Sequence, residues 1–251
     1  GKGAKNGILF KTAQSLETAG KINTVVFDKT GTITNGTPVV TDFVLSSNLT
    51  ENELLQIALD LEIKSEHPLA KAIVKKAEEK NLVAQNIENF MSFGGKGISG
   101  SFENSEFFAG KWDFVSTKIV KKINPEVSEI HNKCEKLAAK GKTPLYFVKD
   151  GDLLGAILVA DTIKDDSKKA ISVLKQMNIN VVMLTGDNPI TAKEIASQVG
   201  IENVVANILP EEKANQVSKL SENSKVAMVG DGINDAPALA TAYCGIAVGA
   251  G

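Results

Sequence analysis

Regular patterning begins with a short apolar run, Val25-Val26-Phe27, which stops at Asp28 and passes into Lys29-Thr30-Gly31-Thr32. An unbroken apolar run of this length reads as a strand buried on both faces, the kind found in parallel sheets. Thr50-Glu51-Asn52-Glu53 then forms a capping-box pattern ahead of Leu54, Leu55, Ile57, Ala58 and Leu61, which recur at helical spacing. A second helix follows Ser65, with Leu69, Ala70, Ile73, Val74 and Ala77 on its apolar face. From 87 to 115 the pattern turns to short strands at 90–93, 100–102 and 107–110 with glycine turns between them, which predicts antiparallel sheet. Asn124 as N-cap and Pro125 at the first helical position open a helix that runs to residue 140. Strands at 145–149 and 153–159 flank Asp150-Gly151, a two-residue hairpin signal.

After Asp161 the rhythm changes to helix, strand, helix, strand. Strands at 181–184, 204–205, 226–229 and 245–248 are separated by helices near 165–177, 189–199, 211–220 and 236–242, and such alternation indicates a parallel sheet. The strand at 25–27 has no neighbours of that kind in its own stretch of chain, so it must join the later sheet. The predicted architecture is therefore α/β, with a discontinuous parallel-sheet domain in two segments, 1–36 and 161–251. An α+β domain with antiparallel sheet, 37–160, is inserted between them, and Asn35-Gly36 and Pro38 punctuate the first junction.

Composition changes this picture little but excludes several classes. With 251 residues, 43% hydrophobic and 23% charged, and a net charge of -2, the chain is an ordinary globular sequence without the basic stripe that nucleic acid requires. Cys134 and Cys244 lie far apart and suggest two buried thiols rather than a disulfide framework or a zinc site. No run of about eighteen apolar residues marks a membrane span. Gly245-Ile246-Ala247-Val248 reads as a strand leading into a loop where the chain stops, so the sequence is expected to be a fragment, and a monomeric one.

Chemistry gathers at the predicted strand ends. Asp28 stands at the carboxyl end of a parallel strand, where open α/β sheets place ligands, and a carboxylate there can attack phosphorus and carry the phosphoryl group covalently. Leu184-Thr185-Gly186-Asp187-Asn188 offers a hydroxyl and then a helix N-terminus suited to an anion. Pro210-Glu211-Glu212-Lys213 supplies a cation, and Gly230-Asp231-Gly232-Ile233-Asn234-Asp235 supplies two carboxylates and an amide. Phosphoryl transfer needs the charge on the equatorial oxygens balanced, so Lys213 and Thr185 are expected to hold those oxygens. Asp28, Asp231 and the Thr30 backbone carbonyl offer the hard oxygen ligands that Mg²⁺ selects.

Asp28-Lys29-Thr30-Gly31-Thr32, Thr185-Gly186-Asp187 and the run from Gly230 to Asp235 together resemble the motifs of the P-type ATPases, a branch of the haloacid-dehalogenase-like hydrolases, and Lys213 matches their phosphate-binding lysine. Nearly the whole chain is covered. The resemblance implies Asp28, Lys213, Thr185 and Asp235 as catalytic residues, with Lys29, Thr30, Gly186 and Asn234 around the phosphate. Ser65-Glu66-His67-Pro68-Leu69 is similar to the nucleotide-binding segment of heavy-metal-transporting members, which implies that Glu66 and His67 meet the adenine of ATP. Read bare, His67 before Pro68 is a helix-start residue. Gly95-Lys96-Gly97-Ile98-Ser99-Gly100 is followed by a strand and so is no dinucleotide fingerprint; the resemblance implies that Gly95 and Gly97 let the backbone approach the nucleotide. Gly110 matches the first residue of a Gly-Asn motif, but Lys111 stands where that family has asparagine. Asp161 and Lys164 resemble an interdomain hinge, and the stretch from Asn6 to Glu17 resembles the segment after a metal-binding membrane helix, or else forms a short amphipathic surface helix.

What the resemblance implies is the ATP-binding, autophosphorylating part of a pump, at the cytoplasmic face of a membrane, using Mg²⁺ and ATP and working with the pump's own actuator and transmembrane domains. Copper is favoured as cargo by the look of the stretch from Gly7 to Ala19, with Zn²⁺ or Cd²⁺ as the alternative. Two readings of other kinds stay open: a soluble phosphatase of the same superfamily and a nucleotide-binding regulatory module. Against the first, soluble phosphatases place a water-activating Asp two residues after the nucleophile, and here that residue is Thr30. The second requires an inert Asp28.

Overall fold

The structure is a computed structural model that describes residues 2–5, 7–120, 125–232 and 234–248. Helices α1 (Lys2–Lys5) and α2 (Ala13–Ala19) precede strand β1 (Thr24–Asp28) and the long strand β2 (Thr34–Leu45). Then come α3 (Glu51–Glu62), α4 (Pro68–Glu79), β3 (Glu88–Phe93), β4 (Gly97–Phe102), β5 (Ser105–Gly110), α5 (Trp112–Val115), α6 (Pro125–Ala138), β6 (Thr143–Lys149) and β7 (Asp152–Ile163). The remainder alternates: α7 (Ser167–Gln176), β8 (Asn180–Leu184), α8 (Pro189–Val199), β9 (Asn203–Val205), α9 (Lys213–Ser221), β10 (Val226–Gly230), α10 (Ala236–Thr241) and β11 (Cys244–Ala247). The chain divides into two compact units, one made of Gly1–Gly36 with Ile163–Gly251 and the other of Thr37–Thr162.

The first unit is built on a five-stranded sheet in the order β11-β10-β1-β8-β9, and each pairing is parallel. β1 lies in the middle, with Val25 opposite Ala227 on one side and Val181 on the other. Successive side chains of a strand point to opposite faces, and β8 shows the result. Val181 and Met183 pack with Ile171 of α7 and Ile195 of α8, whereas Val182 and Leu184 pack with Val217 of α9 and Ala238 of α10. Helices thus cover both faces, which is why these strands read as continuous apolar runs.

The second unit is a six-stranded sheet, β2-β7-β6-β5-β4-β3, antiparallel at β3 through β7. Leu54, Leu55 and Leu61 of α3 and Ile73 of α4 pack with Phe147 and Ile157 of the sheet. Ile130 and Cys134 of α6 pack with Tyr146 and Leu158 in a second cluster. The α3 start is the predicted capping box: Thr50 Oγ1 accepts from the Glu53 N–H, and the Thr50 N–H donates to Glu53 Oε2 at 2.8 Å. Asp150 and Gly151 both take positive φ, 47° and 82°, as a tight hairpin turn between β6 and β7 demands.

Two expectations change. Asn35, Gly36 and Pro38 do not interrupt the chain but run inside β2, an edge strand of its sheet, where a proline's missing N–H costs no ladder bond. Cys134 is buried, but Cys244 is only half-buried because β11 is an edge strand. The predicted N-cap Asn124 lies outside the described residues. α2 is a surface helix with no buried residue, capped by Thr12. Among the described residues, no helix is long and apolar enough to cross a membrane.

Candidate active site and nucleotide pocket

In the parallel unit, four strand ends and the loops that follow them supply the predicted groups. Asp28 ends β1, Thr185 follows β8, Lys213 begins α9, and Asp231 and Asp235 follow β10. The Lys213 ammonium donates to Asp28 Oδ1 at 2.7 Å and to Asp235 Oδ1 at 2.8 Å. Asp28, Asp235 and Thr185 are 4%, 1% and 2% exposed, so the cluster is held away from water. Burial pushes the Asp28 carboxyl above its ordinary range, Lys213 pulls against that, and the neighbouring Asp235 adds to the rise. For Lys213, burial lowers the pKa, but the hydrogen bonds and charges of both acids outweigh it and raise the ammonium above its usual value. A cation bonded to two buried acids is a preorganised field rather than a surface ion pair.

The backbone is shaped around this cluster. After Asp28 the chain turns sharply: Gly31 adopts φ +74°, and the Thr34 N–H and hydroxyl both donate to the Lys29 carbonyl. The Lys164 ammonium donates to the Gly31 carbonyl at 2.9 Å and Ser167 Oγ to the Ile33 carbonyl at 2.8 Å, tying the loop from its far side. Gly230 has no room for a side chain, since a Cβ there would stand 2.4 Å from Asp235 Oδ2. Thr185 Oγ1 accepts from the Asp187 N–H, and Asn188 caps α8 through the N–H groups of Ile190 and Thr191. Asp231 lies beside the loop that follows Asp28, its Cβ 3.7 Å from where a Gly31 Cβ would stand.

Several predicted residues have partners that sequence reasoning did not supply. Lys29 is paired with Asp187 at 2.9 Å, so its ammonium is engaged by a carboxylate. Asn234 holds Asp231, its backbone N–H and side-chain amide donating to the two carboxylate oxygens at 3.0 Å each. Thr30 is exposed. Of the hinge pair, Asp161 lies within β7 and Lys164 serves the loop just described.

In the antiparallel unit the predicted nucleotide residues meet at a cavity of about 180 Å³, lined by His67, Gly95, Gly97 and Gly110, with apolar walls from Leu69, Ile98 and Leu145. Roomier hollows of about 230 Å³ beside Asp60 and Phe107 and about 480 Å³ beside Leu49 and Ile130 hold none of the motif residues. His67 Nδ1 accepts from the Leu69 N–H at 3.2 Å, so it also caps α4, as its bare sequence position suggests. Glu66 is exposed and absent from the lining; the acid that lines it is Glu62, the last residue of α3. Glu62 is 6% exposed, and burial pushes its carboxyl up to about 7 against a hydrogen bond with Ser65. The same helix also carries Glu51, Glu53 and Asp60, so no local signal in the sequence singled Glu62 out. Gly97 and Gly110 face each other across β4 and β5, and a Cβ on either would strike backbone at 2.3–2.4 Å. Their glycine identity is therefore required by strand packing alone.

A family model for haloacid dehalogenase-like hydrolases matches residues 22–242, and the chain belongs to that family. Within it, the whole chain is similar to P-type ATPases. It is 47% identical over 253 residues to a copper-exporting P-type ATPase of Staphylococcus epidermidis and 46% identical over 252 residues to one of Staphylococcus aureus (strain Newman). All of the chain is covered, but only 31% and 30% of those relatives, so it spans about a third of their length. Among solved structures, a zinc-transporting PIB-type ATPase in its E2.Pi state superposes with a TM-score of 0.84 at 36% identity, over 96% of this chain and 38% of the other. The catalytic domain of a CPx-ATPase, CopB-B, studied for its changes upon nucleotide binding, gives 0.62 at 28% identity over 96% and 87%.

Proposed function

We propose that this chain is the ATP-binding and autophosphorylating part of a heavy-metal P-type ATPase, acting at the cytoplasmic face of a membrane. The observation that carries the reading is the Lys213 bridge between Asp28 and Asp235 at the carboxyl ends of parallel strands. The Asp28 carboxylate attacks the γ-phosphorus of ATP; the new O–P bond forms as the bond to ADP breaks, and the phosphoryl group stays on Asp28. Lys213 balances charge on the phosphoryl oxygens and is held for that role by Asp235. Thr185 and the Gly186 backbone stand at the same sheet end.

Asp28, Asp231 and the Thr30 carbonyl suit Mg²⁺, an ion that takes one or two carboxylates and keeps several waters. The fit is supported by the all-oxygen donor set and by Asp231 lying against the nucleophile loop, held in place by Asn234. Among the described residues no cluster of three metal-ligating side chains stands ready by itself, as expected of an ion that shares its coordination with substrate. When bound, Mg²⁺ supplies charge neutralisation at the transferred phosphoryl group.

The antiparallel unit holds the adenine nucleotide, His67 and Glu62 flanking the base. Thr30 in place of a general base leaves the aspartyl phosphate long-lived until another domain of the pump hydrolyses it, which favours a pump over a phosphatase. Copper export is the activity named for the relatives that align over the whole chain, and Cu⁺ is accordingly the proposed cargo, with Zn²⁺ next because of the zinc-transporting structural neighbour. The test is incubation with Mg²⁺ and γ-labelled ATP. Wild type should acquire acid-stable, hydroxylamine-labile label, and Asp28→Asn should acquire none; label in that variant would place the nucleophile elsewhere.

A further inference from the structure

Two lysines line the nucleotide cavity at its glycine rim. Lys96 sits in the turn between β3 and β4 and Lys111 directly follows β5; both are exposed, and both belong to the cavity lining with Glu62 and His67. The Lys111 N–H donates to the Lys96 carbonyl at 3.0 Å, so the two residues are fixed side by side through their backbones while their side chains stay free to reach a ligand. Among the described residues, neither ammonium has a carboxylate within ion-pair distance, unlike Lys29, Lys142, Lys175 and Lys213. Gly97 and Gly110 beneath them cannot carry side chains, so nothing from those positions screens the two charges. The lining thus combines a buried acid of raised pKa, apolar walls and an unpaired double cation. A ligand with a hydrogen-bonding head, a flat apolar body and a polyanionic tail satisfies all three at once.

Resting on the nucleotide reading given above, we propose that Lys96 and Lys111 form a phosphate-counting clamp, which makes this pocket discriminate among nucleotides by the number of their phosphates. Lys111 is the specificity-determining member. A neutral amide at that position can offer one directional hydrogen bond, whereas the ammonium adds a full charge whose attraction grows with each phosphate and is screened by salt. Each exposed cation facing a phosphate is expected to contribute about threefold to tenfold in affinity.

Calorimetric titration of the 251-residue chain with ATP, ADP, AMP and adenosine in EDTA tests this. Wild type should bind them in that order, with affinity spanning more than about tenfold between ATP and AMP at low salt. Lys111→Asn should cut the ATP-to-AMP ratio by about threefold or more, and the Lys96→Gln, Lys111→Asn pair should bring it near unity while adenosine binding holds. Lys111→Arg should retain the ratio. A double variant that keeps the wild-type ratio overturns the clamp. Absence of binding by any of the four ligands to wild type overturns the nucleotide reading itself, a separate and distinguishable result.

Discussion

The crevice of the parallel unit and the pocket of the antiparallel unit manage charge in opposite ways. In the crevice, Lys213 is already satisfied by two buried acids, and the loop that follows Asp28 is tied down by Lys164. In the pocket, Glu62 is buried with little beyond Ser65 to stabilise its charge, and Lys96 and Lys111 are unpaired. A preorganised field suits a transition state, whose charge must be met without delay for reorganisation. A site with open valences suits a ligand that arrives carrying the missing charges. One region is thus complete before substrate, and the other is completed by it.

The sharpest way to break this contrast is to remove the cation from the complete site. Lys213→Met leaves Asp28 and Asp235 buried without a counter-charge, and breaking such a group is expected to cost about 3–5 kcal/mol in the parallel unit. Denaturant melts should show that unit's transition fall while that of the antiparallel unit stays put. A single shifted transition for both would show that the units are not energetically separate.

Asp231→Ala removes a predicted Mg²⁺ ligand and leaves the Lys213 bridge intact. Phosphorylation should drop by about 2–4 kcal/mol of transition-state stabilisation, about one and a half to three orders of magnitude, with ATP affinity unchanged within error. Proportional loss of binding and phosphorylation would erase the division of labour.

The pocket's acid provides a test by pH. Because burial raises Glu62 in the folded state, its protonated form favours folding: that contribution is fully present below about 4.5, its unfolded value, and is lost as pH rises through about 7. The antiparallel unit should therefore lose up to about 3 kcal/mol across this window, and Glu62→Gln should flatten the slope. An unchanged slope in the variant would assign the titration to another group. Smallest of all, Thr50→Ala should cost the same unit about 1 kcal/mol by deleting the capping box, with phosphorylation chemistry untouched.

Much of this molecule is legible in its sequence because its local rules agree with its tertiary structure. The strands of the parallel sheet are buried on both faces, and so they advertise themselves as apolar runs; α3 and α8 carry their caps, and Asp150-Gly151 declares its turn. β2 was obscured because Gly36 and Pro38 carry the local marks of a turn, and only pairing with β7 makes them a strand. Asp28, Lys213, Asp231 and Asp235 could be placed in one crevice because each ends or follows a strand. Their finer partners could not, since Lys29 with Asp187 and Asp231 with Asn234 are settled by side-chain geometry in loops. Glu66 was named because it adjoins His67 in the family-like segment, whereas Glu62 ends the preceding helix α3 and is brought to the cavity by the fold rather than by that segment.

The position of β1 has a consequence in time. It is the middle strand of its sheet, yet both of its neighbours, β8 and β10, lie on the other side of the insertion in the chain. During synthesis β1 emerges first and has nothing to pair with until the whole insertion and β8 have followed. Pairing of β2 with β7 draws the ends of the insertion together and removes most of the loop-closure entropy that would otherwise oppose the parallel sheet. The antiparallel unit should thus act as the closing clasp for the other, and lesions confined to it, such as Thr50→Ala, should slow the appearance of a phosphorylatable Asp28 in refolding experiments well before they alter the finished enzyme.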